Sequence, residues 1–191
     1  MNFARSALEC DAFSHRFIVL VLLHYATSAK STHMNWGSWL LWGFVATVVL
    51  ESILAGSQGL GVTRMSVPYL LGTIFTPNRD RAKFIGIFIH FLNGWIFSLI
   101  YVAIFESLRR STWWLGGLFG IVQAIFMLAV LLPVMPALHP RIANEQYGPT
   151  IERQLEPPGF MGLHYGIRTP ISVLVAHIIF GIILGAFYVV K

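Results

Sequence analysis

One cysteine, Cys10, stands in a chain of 191 residues, so the chain can form no internal disulfide and no multi-thiolate site for zinc or an iron–sulfur cluster. Charge is scarce as well. Asp, Glu, Lys and Arg make up 11% of the residues, against about a quarter in a soluble domain. A phosphate-cradling glycine loop, a dinucleotide fingerprint, an HExxH helix, a CxxC pair and a nucleophile elbow are all missing from the sequence. Soluble enzyme chemistry is left without a motif, and the chain reads as a protein that is not an enzyme.

What the chain has in abundance is apolar surface: 56% hydrophobic residues, 15 Phe and a mean hydropathy of +0.70. Crossing a hydrocarbon core takes roughly 20 apolar residues per helix. Four segments qualify, about Trp36 to Gly56, Phe84 to Phe105, Trp113 to Leu138 and Pro170 to Val190. The last three contain no charged residue, and the first contains one, Glu51. The expected fold is therefore an all-α integral membrane protein, a four-transmembrane-helix bundle. The net charge of +5 and pI near 9.7 come from basic residues that flank the spans, so they anchor anionic headgroups and do not form a nucleic-acid patch.

A motif occurs twice with the same offsets. His90, Gly94, Ser98 and Tyr101 form the first copy; His177, Gly181, Gly185 and Tyr188 form the second. Offsets of four and eight place the His and two small residues on one helical stripe. Helix three carries a companion stripe, Gly116, Gly120 and Ala124, and helix one a weaker one, Gly43 and Thr47. The spacing predicts a duplicated, parallel two-helix repeat, with repeat one at about 36–106 and repeat two at about 112–191. Its pseudo-two-fold axis would run along the membrane normal.

Several boundaries follow from local chemistry. Thr76-Pro77, Thr169-Pro170 and Ser111-Thr112 read as helix starts, each with a capping hydroxyl ahead of a proline or an apolar run. Residues 66–75 are apolar but too short to span, which predicts a short interfacial or re-entrant helix between helices one and two. The 137–169 connection is long and rich in Pro and Gly. Residues 1–35 form an N-terminal tail, read either as signal-like, from the apolar run Phe17 to Tyr25 after Arg16, or as a dispensable extension; residues 36–191 form the membrane domain. Trp36, Trp39, Tyr101, Trp113, Trp114 and Tyr188 predict an aromatic belt at one face, while the loops at the other hold more Arg and Lys and favour that face as cytoplasmic.

Depth selects the functional candidates. Glu51, His90 and His177 lie five to seven residues inside their spans, on the order of 8 to 10 Å below one membrane boundary at 1.5 Å per residue. An intramembrane ionisable residue is a functional-site hypothesis by default. Three readings compete. Gly94, Ser98, Gly116, Gly120, Gly181 and Gly185 serve helix packing, with the histidines bonding across the interface. Alternatively His90 and His177 are axial ligands of a b-type haem, with a glycine one turn away leaving room for the macrocycle. In the third reading Glu51, His90 and His177 bind a transition metal or relay protons, unless Glu51 faces Arg64 instead. Gln123 and Asn93 read as helix-to-helix glue at other depths.

In span number and motif style the chain resembles small bacterial polytopic membrane proteins, which implies a bacterial inner membrane and carries over no functional residue. The leading expectation is an accessory or structural subunit that contacts lipid and either other membrane subunits or itself. The alternative is a haem- or metal-binding electron- or proton-transfer subunit using His90 and His177.

Overall fold

Polar caps or prolines mark the start of every helix but the one after Thr112, whose hydroxyl makes no capping bond. In a computed structural model describing residues 34–144 and 148–191, Asn35 accepts from the Ser38 amide at 3.3 Å and opens α1, Trp36–Gly59. Pro68 sits in the first turn of the short α2, Val67–Gly72. Asn78 accepts from the Arg81 amide at 3.0 Å and opens α3, Arg79–Leu108. This cap lies two residues beyond Thr76, because the Thr76 hydroxyl is used in a local turn to the Asn78 amide. Thr112 precedes α4, Trp113–Leu138, and Pro170 sits in the first turn of α5, Thr169–Phe187. Midway along α4 the turn widens over Met127–Leu131, just before Pro133 and Pro136 withdraw two backbone donors.

The described residues are helical with no strand, and α1, α3, α4 and α5 are each long and apolar enough to cross a membrane. The protein is an all-helical membrane protein by length and composition. The signal-like tail with Cys10, and Glu145 and Tyr147 of the long connection, lie outside the described residues.

Packing is uneven around the bundle. Helix α5 lies along α4 and also against α1, and α1 packs on α3. Helices α3 and α4 meet through rings near one end, with Phe119 5.9 Å from Tyr101 and 6.1 Å from Phe105. Phe105, Val102, Phe180 and Leu184 are fully buried there. Towards the other end α2 lies on the start of α3 with backbone against backbone. A β-carbon at Gly86 would stand 1.6 Å from the Pro68 carbonyl oxygen, so only glycine admits the contact.

The two connections at that end are tied together. The Thr63 and Thr169 hydroxyls are 2.7 Å apart and the Arg64 amide donates to the Tyr165 carbonyl at 2.9 Å, while within the longer connection Leu155 pairs with the backbone around Ile142. Arg64 itself donates to the His164 carbonyl and lies 3.6 Å from Glu156. It therefore belongs to this loop cluster and does not face Glu51.

Candidate functional site

Each copy of the repeated motif sits against the preceding long helix. In the first, a β-carbon at Gly94 would meet Thr47 side-chain atoms at 2.5 Å, and one at Gly43 would meet the Ser98 hydroxyl at 2.6 Å. The Trp39 indole donates to that same hydroxyl at 2.9 Å. In the second copy the contact is backbone to backbone. A β-carbon at Gly181 would lie 2.0 Å from the Gly116 carbonyl oxygen, one at Gly120 2.2 Å from that of His177, and one at Gly185 2.2 Å from that of Thr112. The face of Gly181 is thus covered by the backbone of the neighbouring helix, and the β-carbon position of Gly94 by the Thr47 side chain.

The three ionisable residues separate into a pair and a neighbour. Glu51 on α1 forms a close contact with His90 Nδ1 on α3, both half-buried. His177 on α5 is 5% exposed, and its Nδ1 donates to the Val173 carbonyl one turn back at 2.8 Å. His90 and His177 line the same cavity, whereas Glu51 lines a different one between α1, α2 and the start of α3. Among the described residues no three His, Cys, Asp or Glu side chains are gathered to hold a metal ion. Asn93 and Gln123 also line the cavity of the two histidines. Gln123 also ties helices together, accepting from the Tyr101 hydroxyl at 2.7 Å.

The tyrosines of the motif are not a surface belt. Tyr101 and Tyr188 are buried, and the Tyr188 hydroxyl donates to Glu106 Oε1 at 2.5 Å while accepting from the Asn35 amide at 3.1 Å. Glu106 is the acidic residue that the sequence reading passed over, since it stands one position past the apolar run. It is 5% exposed, and its Oε2 has no hydrogen-bond partner among the described residues. A signal for it exists. His90, Gly94, Ser98, Val102 and Glu106 continue one stripe at intervals of four.

A second polar centre lies outside the spans. His139 is buried, with Nε2 donating to the Leu70 carbonyl at 2.9 Å and Nδ1 accepting from the Arg141 amide at 3.1 Å. Arg141 reaches the Thr73 and Ile74 carbonyls, so the two residues together satisfy the end of α2. Burial holds the His139 imidazole below its ordinary range; the bond to Leu70 opposes this and the Arg141 charge adds to it.

Compared with protein-family models, curated proteins and solved structures, the chain matches none. Its function has to be argued from this geometry alone.

Proposed function

We propose that the protein is a non-catalytic accessory or structural subunit of a membrane complex, with a bundle built by duplicating a two-helix unit in parallel order. The observation that carries this reading is that the small residues of both copies of the motif are taken up in helix-to-helix contact. Matching positions meet in both pairs: Gly43 with Ser98 and Gly116 with Gly185, Thr47 with Gly94 and Gly120 with Gly181. That correspondence supports the duplication. The connections fold back onto one end of the bundle, and among the described residues none forms a separate extramembrane domain. Outside, Phe84, Phe88 and Trp113 are among the most exposed large side chains, a surface suited to lipid and partner helices alike.

In this reading the chain sits in a bacterial inner membrane, with α2 as an interfacial or re-entrant element. Gentle solubilisation followed by native mass spectrometry tests it, with a visible redox spectrum and elemental analysis of the same sample. The expected result is a colourless, metal-free chain in stoichiometric assembly with another subunit or a second copy. A lone monomer, or a stoichiometric haem or metal, overturns it.

A further inference from the structure

Away from their aromatic contact, α3 and α4 border a partly open cavity of about 220 Å³, lined also by α1 and α5. Its walls are apolar except for His90, Asn93, Gln123 and His177. The two imidazoles are held by different partners. A carbonyl only accepts, so His177 Nδ1 carries the hydrogen donated to Val173, and in the neutral ring Nε2 presents a lone pair. His90 has a carboxyl group against Nδ1. In a Glu51–His90 pair of zero net charge, His90 Nε2 carries a hydrogen whichever partner holds the shared proton. Neither Nε2 has a hydrogen-bond partner among the described residues.

Both rings line the cavity, so in that state its wall offers one donor and one acceptor, and a hydroxyl group answers both. Its oxygen accepts from His90 and its hydrogen goes to His177. A metal ion is a poorer match, since Glu51 is committed to the far edge of His90 and, among the described residues, no third ionisable ligand joins the histidines. The rest of the lining selects the body of the ligand. Met65, Met127 and Met135, three of the six methionines in the chain, share the walls with Phe97 and Phe180. Thioethers adapt in shape and attract ring edges. The volume falls below the roughly 300 to 1,000 Å³ of drug-sized sites, which suits one ring.

We infer that this cavity binds the hydroxyl-bearing ring of a membrane-soluble phenol between His90 and His177. The site goes beyond the subunit role and does not depend on a protein partner. Calorimetric titration of the full chain in lipid nanodiscs with para-hexylphenol, and with its methyl ether, tests it after subtraction of partition into empty nanodiscs. The phenol should bind saturably at one site, and the ether about tenfold more weakly through the lost donor hydrogen bond. His177→Phe should bring the phenol down to the level of the ether, and Met127→Trp, which fills the cavity, should abolish saturable binding of both. Equal affinity for phenol and ether overturns the inference, as does uptake no greater than that of empty nanodiscs. Should His177→Phe fail to fold, unchanged binding in a folded Met127→Trp variant overturns it instead.

Discussion

The α1–α3 pair and the α4–α5 pair solve one packing problem with different materials. At matching positions α4 and α5 have Gly116, Gly120, Gly181 and Gly185 and approach backbone to backbone. Helices α1 and α3 place Thr47 and Ser98 at two of those positions, and side chains fill the interface. The looser pair compensates with polar bonds, Trp39 to Ser98 and Glu51 to His90. Where α1 carries Glu51, eight residues after Gly43, α4 carries Ala124, eight after Gly116, and His177 turns to its own backbone. Without an aqueous phase to drive helices together, close approach and interhelical hydrogen bonds become alternatives, and each pair relies mainly on one.

The sharpest way to break this comparison is steric. Gly181→Leu should destabilise the bundle by about 3 kcal/mol or more in reversible detergent unfolding, because the Gly116 carbonyl cannot move aside as a side chain can. Gly94→Ala should cost much less, and Thr47→Ala should restore it by clearing the side chain it meets. Equal losses in the two pairs would remove the distinction between backbone and side-chain packing.

Next in size is Tyr188→Phe, at about 2 kcal/mol, since it leaves the buried Glu106 carboxylate with only the distant Lys191 amide. Tyr101→Phe removes one bond to a neutral amide and should cost about 0.6 kcal/mol, as typical interhelical bonds do. The ranking in a thermal series checks both. A double-mutant cycle of Glu51→Ala and His90→Ala should give a coupling of about 1 kcal/mol, which places the polar bond of the α1–α3 pair on the same scale.

The smallest effect is a pH dependence. Because burial lowers the folded-state pKa of His139, the unfolded chain takes up its proton first as pH falls. The contribution is fully present above about pH 6.5 and is lost as pH drops towards the lowered folded value. His139→Gln should flatten this part of the stability profile between pH 7 and 5, and an unchanged slope would assign it to another group.

Much of the architecture was legible in the sequence. Uncharged apolar runs announce spans because lipid offers backbone groups no partner, and α4 runs from Trp113 to Leu138 as the run itself does. Helix starts were legible to within a turn, with Asn78 taking the cap from Thr76 once the threonine bonded locally. The site was legible in part. Intervals of four brought out the histidines and the small residues, but Tyr101 and Tyr188 resembled interfacial anchors because each lies near a span end. Their burial depends on Gln123 and Glu106, which come from other helices.

The sequence by itself determined the environment and the helices, since transfer of apolar residues into lipid and intrahelical hydrogen bonding are local properties of each segment. Tertiary structure alone decided that Glu51 meets His90, that His177 turns to Val173, and that both imidazoles open on one cavity. Those outcomes depend on helix rotation and on which helices approach closely. Rotation and approach are set by non-local contacts such as Gly181 on Gly116, which no single stretch of sequence encodes.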